Sequence, residues 1–244
     1  MSFAGRRIWI IGASAGIGAS LARALAGQGA QLVLSARNEG ALMALARECP
    51  AARIERLDLA QPGSLADAVA RLAAEAPLDG VICTAALYSP SPVADLDPVE
   101  AEAMVRVNIL GMLEIARLCP ALLRDGGQLV LFGSVAGYLG LPGGQPYSAT
   151  KAAINNLAES LAAELAPRVD VRLVCPGFVE TRLTAKNRFT MPAIISPEKA
   201  AEAVLRGMAG RRFEIHFPRR FTLVMKLIRL LPYGLLLRLT RRLR

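Results

Sequence analysis

The sequence predicts an α/β fold in which helices flank a doubly wound parallel β-sheet, followed by a helical C-terminal extension. Short runs rich in Val, Ile and Leu alternate with longer Ala- and Leu-rich stretches of helical period, which is the pattern of repeated βαβ units. The 244 residues are 53% hydrophobic, enough for a sizeable core. No repeat or low-complexity linker divides the chain, so we expect one domain over residues 1–217 and the extension over residues 218–244.

The individual elements follow from the apolar runs and their boundaries. We predict strands at residues 7–11, 31–35, 53–57, 80–84, 128–132, 169–174 and 213–217. Several of the stretches between them begin at Ser or Asp near a Pro and end near Gly or Pro, which predicts helices at 17–28, 39–48, 64–75, 98–123, 148–165 and 197–209. Residues 180–196 have weak periodicity and follow a strand, so we expect a loop that covers a site.

The formal net charge of +9 is concentrated at one end of the chain. Residues 211–244 contain ten Lys or Arg residues and one acidic residue, Glu214, which leaves 19 basic and 19 acidic residues in positions 1–210. A protein that is basic throughout would suggest a polyanion bound over its whole surface. This asymmetry instead predicts one localised anionic contact, made by the C-terminal part.

Cysteine spacing and the scarcity of histidine argue against a metal site and against a disulfide scaffold. His216 is the only histidine, and no CxxC pair occurs. The cysteines stand far apart, at Cys49, Cys83, Cys119 and Cys175. We therefore expect no bound metal and a reducing compartment. No apolar segment with a cleavage site follows Met1, so we expect a cytoplasmic protein.

A glycine-rich turn directly follows the first predicted strand and opens a helix. Its sequence is Gly12-Ala13-Ser14-Ala15-Gly16-Ile17-Gly18. Glycines allow a tight turn and let the backbone approach a pyrophosphate, whose charge is favoured by the free N–H groups and the positive end of the helix dipole. Alone, such a turn is also compatible with a close helix–strand contact. Its place at the first βα turn favours a dinucleotide site of the Rossmann type.

Three polar residues later in the chain form a second chemical signal. Tyr147 and Lys151 are four residues apart on a predicted helix, so the ammonium group lies on the same face as the phenol and favours its deprotonated form. Ser134, at a predicted strand end, brings a hydroxyl to the same region. Together they supply a proton donor, a charge that tunes it and a hydrogen-bond donor that orients a carbonyl. A Tyr-x-x-x-Lys pair alone is more typical of a surface contact, but the glycine turn favours a catalytic site.

With these motifs, residues 5–215 resemble the short-chain dehydrogenase/reductase family. The matching residues are Gly12, Gly16, Gly18, Asp58, Asn108, Ser134, Tyr147, Lys151, Pro176 and Gly177. The resemblance implies an oxidoreductase that transfers hydride between a nicotinamide coenzyme and a carbonyl carbon, with Tyr147 donating or accepting the proton. It also implies a small-molecule substrate and a homodimer or homotetramer.

The resemblance further assigns roles to single residues. Asp58 contacts the adenine, Lys151 also binds the nicotinamide ribose, and Asn108 holds a water in a proton relay. Motif and resemblance together give the coenzyme-binding set Gly12, Ser14, Gly16, Ile17, Gly18, Arg37, Asp58, Leu59, Ala85, Tyr147, Lys151, Pro176, Gly177, Val179 and Thr181. Structural interpretations stay open, for Asn108 as a helix-bending residue and for Asp58 as a turn former.

One segment departs from the family pattern. Where the family usually has Asn-Asn-Ala-Gly after the fourth strand, this chain has Cys83-Thr84-Ala85-Ala86. Both amide side chains are absent, so their hydrogen bonds to the central sheet must come from Thr84 or from the backbone. Cys83 is interpreted as buried packing.

The end of the second strand favours NADP(H), with NAD(H) as the alternative coenzyme. An acidic residue there would bind the ribose 2′-hydroxyl and repel a 2′-phosphate, whereas an arginine attracts that phosphate. No acid precedes Glu39, and Arg37 is placed to clamp the phosphate or lie over the adenine, with Ser14 and Ser35 as supporting donors. The alternative is a solvated Arg37 at a helix start. Ala15 counts against NADP(H), because many NADP-preferring relatives have a second basic residue there.

Residues 218–244, named the tail here, are both apolar and basic. Their longest uncharged run, 230–237, has eight residues, far fewer than the ~20 that span a bilayer. Lys and Arg recur at three- and four-residue steps, which predicts two short amphipathic helices hinged at Pro232-Tyr233-Gly234 and lying peripherally on a membrane. The alternatives are packing on the enzyme's own body or on a second subunit. Nucleic acid binding is disfavoured because aromatic residues are few.

These observations together predict an NADP(H)-dependent oxidoreductase that interconverts a carbonyl and an alcohol. A tail beside the active site would suit a lipophilic substrate delivered from a bilayer. The alternative function is a non-catalytic NADP(H)-binding regulator or membrane adaptor. The intact set of Ser134, Tyr147 and Lys151 argues against that alternative.

Overall fold

The computed structural model describes residues 2–187 and 189–241. Met1, Arg188 and residues 242–244 lie outside the described residues, and with them Arg242 and Arg244 of the basic tail. Seven strands form one sheet: β1 (Arg7–Ile11), β2 (Gln31–Ser35), β3 (Ala52–Ile54), β4 (Leu78–Cys83), β5 (Leu123–Phe132), β6 (Val169–Pro176) and β7 (Glu214–Phe217). All pairs are parallel, in the order β3-β2-β1-β4-β5-β6-β7, which confirms the doubly wound fold.

Helices cover both faces of the sheet. They are α1 (Gly16–Ala26), α2 (Glu39–Glu48), α3 (Ser64–Ala73), α4 (Pro98–Val105), α5 (Gly111–Leu118), α6 (Tyr147–Glu164), α7 (Pro197–Met208), α8 (Arg219–Arg229) and α9 (Tyr233–Arg241). Asp97 and Ser196, which stand before a Pro as the sequence indicates, cap α4 and α7, and Asn38 caps α2. Each accepts a hydrogen bond from a backbone N–H of the first turn.

The core consists of two apolar layers separated by the sheet. Ile8 and Ile10 of β1 pack into one layer, and Trp9 and Ile11 pack into the other. Successive side chains of a strand point to opposite faces, so a strand covered on both sides needs an unbroken apolar run. The chain order reverses between β1 and β4, which neighbour each other at the centre of the sheet. In open α/β sheets ligands bind at the carboxyl ends of the strands at this reversal.

The helix predicted at residues 98–123 is present as one helical run over residues 98–122, but it is not α-helical throughout. The chain instead forms α4, a π-helical turn at Arg106–Leu110, α5 and a 3₁₀ turn at Cys119–Leu122. The π-helical turn contains the fully buried Asn108, whose side chain bonds to groups outside the helix. β5 then begins at residue 123, five residues earlier than predicted, whereas β3 ends three residues earlier than predicted.

The loop predicted at residues 180–196 is present. Its described residues contain one short 3₁₀ turn, Thr184–Lys186, and Val179 bridges to Ile195 beside it. Thr181, Leu183 and Lys186 line the main cavity of the molecule, so the loop covers part of it. The expected position of this loop beside a site is therefore confirmed.

The tail forms two helices, α8 and α9, as the spacing of its basic residues predicts. One side of this pair packs on the rest of the chain, since Met225 and Leu236 form a buried apolar cluster with Leu139. Other apolar side chains of the tail are exposed, such as Leu227 and Leu230. Packing on the enzyme's own body was one of the two alternatives to membrane contact, and it applies to one side of the tail. No helix within residues 2–187 and 189–241 is long and apolar enough to cross a bilayer.

Candidate active site

The glycine turn packs so closely on the end of β4 that side chains are excluded from two of its positions. A Cβ atom on Gly12 would lie 2.5 Å from the backbone nitrogen of Ala85, and one on Gly18 would lie 2.3 Å from the Gly12 carbonyl oxygen. Gly12 also has a φ of +93°, a conformation that favours glycine. The turn therefore holds the N-terminus of α1 directly above the carboxyl ends of β1 and β4.

Thr84 replaces the hydrogen bonds that the missing amides would make. Its hydroxyl donates to the Ile11 carbonyl at 3.2 Å and to the Gly12 carbonyl at 3.1 Å, and its backbone N–H donates to Ile11 at 2.8 Å. The expectation that Thr84 or the backbone ties this segment to the central sheet is confirmed. Cys83 is fully buried, and burial raises the pKa of its thiol to about 12, so it acts as a packing residue.

A cavity of about 880 Å³ runs from the glycine turn to the start of α6. Sixteen of the seventeen predicted site residues line it: Gly12, Ser14, Gly16, Ile17, Gly18, Arg37, Asp58, Leu59, Ala85, Ser134, Tyr147, Lys151, Pro176, Gly177, Val179 and Thr181. The remaining residue, Asn108, does not line it. Residues from seven separate segments thus meet at one edge of the sheet, where the carboxyl ends of its strands lie together.

The residues expected to select the coenzyme differ in their access to this cavity. Arg37 is exposed and lines the cavity, and Ser14 lines it at the glycine turn. Ser35 is fully buried, because its hydroxyl donates to the Glu55 carbonyl and accepts a hydrogen bond from the Trp9 indole at 2.8 Å. The expectation that Ser35 supports a bound phosphate is therefore wrong.

Asp58 combines its predicted site position with a local structural contact. Its carboxylate accepts a hydrogen bond from the backbone N–H of Ala60 at 2.9 Å and lines the cavity beside Leu59. The carboxylate oxygen that accepts this hydrogen bond thus stabilises a turn, as the structural interpretation of Asp58 predicts. Its place on the cavity wall keeps the predicted contact with an adenine ring sterically accessible.

Ser134, Tyr147 and Lys151 meet at the other end of the cavity from Arg37. The Lys151 ammonium is 5.5 Å from the centre of the Tyr147 ring and donates a hydrogen bond to the Phe132 carbonyl at 2.7 Å. Ser134 follows β5, and its hydroxyl accepts a hydrogen bond from the Ala136 backbone N–H at 3.1 Å. The end of β5 and the first turn of α6 therefore place the three side chains around one point.

The pKa of the Tyr147 phenol differs from the value range that the sequence predicts. Desolvation raises the pKa of the Tyr147 phenol, and a hydrogen bond with Ser134 lowers it only in part. Burial lowers the pKa of Lys151 to about 8. The expected lowering of the phenol pKa by Lys151 is thus not found in the chain by itself, because desolvation dominates there. A phenol with a raised pKa keeps its proton at neutral pH and is a weaker proton donor than an ordinary phenol.

Asn108 has a structural role through the hydrogen bonds of its side chain. Its amide oxygen accepts from the Leu87 backbone N–H at 2.8 Å, and its amide nitrogen donates to the Leu87 carbonyl at 2.9 Å and to the Thr150 hydroxyl at 3.1 Å. These bonds join the segment after β4 to the first turn of α6. The side chain therefore holds these parts of the site together, and a role in a proton relay stays a prediction.

Tyr88 is a site residue that the sequence analysis missed. Its ring stands edge-on to the Tyr147 ring, with ring centres 4.7 Å apart and an interplanar angle of 82°. Its hydroxyl donates to the side-chain oxygen of Asn187, and its carbonyl accepts from the Lys186 ammonium at 2.8 Å. Tyr88 thus connects Tyr147 to the covering loop. The available signal was an aromatic residue two positions after the segment Cys83-Thr84-Ala85-Ala86, which differs from the family pattern.

The tail reaches the same region through aromatic contacts. The Phe221 ring lies against Gly177, where a Cβ atom would be 2.9 Å from its Cδ1 atom. Phe178 lies between Phe221 and Phe189, with ring centres 5.7 Å from each. Because Gly177 lines the cavity, α8 forms part of the structure that supports its wall.

Comparison with known proteins agrees with this geometry. The family model described as "short chain dehydrogenase" matches residues 6–191. An uncharacterized oxidoreductase of Myxococcus xanthus (strain DK1622) is 32% identical over 248 residues, covering 98% of each chain.

Two solved structures are similar in both sequence and fold. One is a short chain dehydrogenase from Burkholderia cenocepacia J2315 in complex with NADP, with 31% identity, a TM-score of 0.78 and coverage of 88% of this chain and 89% of that one. The other is a short-chain dehydrogenase from Sphingobium yanoikuyae in complex with NADPH, with 26% identity, a TM-score of 0.76 and coverage of 87% and 88%. The chain therefore belongs to the short-chain dehydrogenase family of oxidoreductases.

Proposed function

We propose that this protein is an NADP(H)-dependent oxidoreductase that interconverts a carbonyl compound and the corresponding alcohol. The observation that carries the proposal is one continuous cavity with the glycine turn at one end and Ser134, Tyr147 and Lys151 at the other. A dinucleotide held along it would place its reactive ring beside the phenol. NADP(H), when bound, supplies or accepts the hydride.

The chain's own groups fit a bound dinucleotide. The first turn of α1 contains no acidic residue, and Ala15 at its N-cap position offers no side-chain oxygen to the backbone N–H groups. Those N–H groups remain available for a pyrophosphate, which the helix dipole also favours. The excluded Cβ positions at Gly12 and Gly18 keep the backbone compact at this point. Arg37 at the rim supplies a cation for a 2′-phosphate, and the relatives solved with NADP or NADPH support that preference.

Tyr147 is the proposed acid and base of the reaction. Its phenol donates a proton to the carbonyl oxygen in reduction and takes one from the alcohol in oxidation. The Ser134 hydroxyl donates a hydrogen bond to the same oxygen and so stabilises its developing negative charge. Lys151 places a positive charge beside the phenol and binds the coenzyme ribose. Asn108 completes the proposed catalytic set through a water in a proton relay.

The reduction of carbonyl compounds is the favoured direction. The proposed preference for NADP(H), which Arg37 on the cavity wall supports, favours reduction. Apolar residues on the cavity wall, Leu87, Met104 and Leu183, support a lipophilic substrate. The exposed apolar residues Leu110 and Leu113 support a homodimer or homotetramer formed through the helices around Asn108.

Turnover with NADPH tests this proposal. The purified chain is mixed with NADPH and a panel of apolar aldehydes and ketones, and loss of NADPH absorbance is followed. We expect Tyr147→Phe to lower kcat by about 10³-fold while NADPH binding, measured by fluorescence, stays within a factor of about two. A chain that binds NADPH but turns over no carbonyl compound would instead be the non-catalytic regulator. Retained activity in Tyr147→Phe would exclude this phenol as the acid.

A further inference from the structure

We infer that α8 and α9 form a rigid docking surface for an anionic lipid bilayer, and that docking presents the substrate end of the cavity to that bilayer. The predicted peripheral membrane contact thereby becomes a defined surface with an inner and an outer side. The second half of the inference rests on the proposed function, because it names membrane-dissolved carbonyl compounds as the substrate class.

The inner side of the tail is fixed to the body of the enzyme. Met225 and Leu236 are buried with Leu139, and Tyr138, Leu141, Phe221, Ile228 and Leu231 pack partly buried around them. A polar contact adds to this cluster, since Glu214 of β7 accepts hydrogen bonds from Tyr138 and from Lys226 of α8. The two helices are therefore ordered before any partner binds. Binding then carries no entropy cost for ordering them.

The outer side exposes an unusual number of large apolar residues. Of the 17 exposed large hydrophobic side chains in the described part of the chain, eight lie within residues 219–241. They are Leu223, Val224, Leu227, Leu230, Tyr233, Leu235, Leu237 and Leu239. The exposed fraction reaches 79% at Leu230, 66% at Tyr233 and 64% at Leu227. Apolar residues clustered in this way on a surface indicate a binding site rather than chance exposure.

The charged residues around this surface indicate which kind of partner binds to it. Arginines stand exposed among the apolar residues, at positions 219, 220, 229, 238 and 241, and the sequence contains no acidic residue after Glu214. A second copy of the chain, docked through the same face by two-fold symmetry, would bring these like charges together. Nucleic acid would neutralise the arginines but leave the leucines without a partner. An anionic bilayer accommodates both, with apolar side chains among the acyl chains and arginines at the headgroups.

The docking surface adjoins the substrate end of the cavity on two sides. Leu139 and Leu141, which pack against the tail, belong to the loop that leads into Tyr147 at the start of α6. Phe221 contacts Gly177 on the cavity wall, and Phe178 continues this contact to Phe189 in the covering loop. A bilayer bound to the outer side would therefore be separated from both loops that border the phenol only by the two helices. A carbonyl compound dissolved in that bilayer has a short path to the site.

Vesicle binding by the full chain tests the docking surface. The probes are phosphatidylcholine vesicles with and without phosphatidylserine, and binding is measured by cosedimentation. The variant combines Leu227→Glu with Leu230→Glu, and Val99→Glu on α4 is the matched control because Val99 is also 75% exposed. We expect the wild type and the control to bind the anionic vesicles, less so at high salt, and the double variant to bind at least about 10-fold more weakly.

Activity on two substrates separates this inference from the proposed function. One is a short water-soluble ketone, and the other is a long-chain ketone dissolved in the vesicles. The double variant should keep wild-type turnover of the soluble ketone, which also shows that it is folded, and lose about 10-fold on the vesicle-bound ketone. The docking surface is overturned if the wild type and the double variant bind vesicles equally, or if light scattering shows that the variant has lost a dimer. In both cases turnover of the water-soluble ketone stays intact. Vesicle binding without turnover of either ketone overturns the proposed function instead.

Discussion

The two ends of the cavity are built in different ways. At the nucleotide end, backbone atoms meet backbone atoms: the Gly12 and Gly18 positions have no room for a Cβ, and Thr84 bonds only to carbonyl oxygens. At the substrate end, side chains from distant segments meet each other, as Tyr88 does with Asn187 and with Tyr147. A backbone site is fixed by the fold itself, whereas a side-chain site can change its specificity without changing the fold. The following predictions compare the two ends.

The largest effect on coenzyme binding is expected at the glycine turn. Gly18→Ala places a methyl group 2.3 Å from the Gly12 carbonyl oxygen and 2.6 Å from the Thr84 hydroxyl, so the turn must open. We expect NADPH affinity, measured by fluorescence titration, to fall by about 100-fold. Gly140→Ala is the control, because its Cβ would meet nothing within 4 Å and its φ is not positive. If the NADPH affinity of Gly18→Ala stays within a factor of about two of the control, close backbone packing does not determine coenzyme binding at the nucleotide end.

Reversing the charge of one rim residue is expected to have the next largest effect. Arg37→Asp replaces a cation at the cavity rim with a carboxylate that repels a 2′-phosphate and accepts a hydrogen bond from a 2′-hydroxyl. The Michaelis constant for NADPH should rise by about 10- to 100-fold, while that for NADH stays constant or falls. Steady-state kinetics with both coenzymes measure this difference. Equal increases for both would mean that Arg37 does not discriminate between them.

At the substrate end, removing a single hydroxyl should change catalysis but not coenzyme binding. Tyr88→Phe keeps the edge-on contact with the Tyr147 ring and removes the hydrogen bond to Asn187. A hydrogen bond of about 1 kcal/mol corresponds to roughly a 5-fold decrease in kcat/KM for the ketone. The NADPH dissociation constant should remain that of the wild type. A decrease in NADPH affinity as large as that in kcat/KM would show that the two ends are not independent.

The smallest effect concerns the attachment of the tail and its dependence on pH. Burial acts to raise the pKa of Glu214, but hydrogen bonds from Lys226 and Tyr138 outweigh it, and that pKa lies below its ordinary value of 4.5. A lowered carboxyl pKa stabilises the fold above pH 4.5, and this contribution is lost as the pH falls through the lowered pKa.

Glu214→Gln is the variant that measures this contribution. It should lower the free energy of unfolding by about 1 kcal/mol at pH 7, measured in urea. The difference from the wild type should shrink as the pH falls below 4.5 and through the lowered pKa of the Glu214 carboxyl, where the wild type becomes protonated. NADPH affinity should not change. A difference that is independent of pH would mean that the charge of Glu214 does not anchor the tail.

The difference between local and long-range contacts explains what could be predicted from the sequence. The strand and helix positions and the glycine turn depend on neighbouring residues, and their patterns are visible in a single chain. The π-helical turn within the helix at residues 98–122 contains Asn108, which bonds to Leu87 and Thr150, 21 and 42 residues away. No local pattern contains that information.

The buried position of Ser35 and the contacts of Tyr88 depend on tertiary structure in the same way. Ser35 is withdrawn from the cavity by Trp9 and Glu55, which come from two other segments. In the tail, the spacing of Lys and Arg predicts helices, but Met225 and Leu227 are chemically alike. Only the folded chain shows that Met225 faces inward and Leu227 faces outward. Hydrophobic periodicity identifies an apolar side but not the surface that covers it.

The contact of Phe221 with Gly177 has an evolutionary consequence. In an ancestor without the two C-terminal helices, a side chain at position 177 would meet no phenylalanine, and Leu139 would face water. Gly177 already belongs to the residues shared with the family pattern, so the space that Phe221 occupies existed before the helices did. Reconstructed ancestral sequences should therefore have the glycine before the extension, and should gain an apolar residue at position 139 together with it.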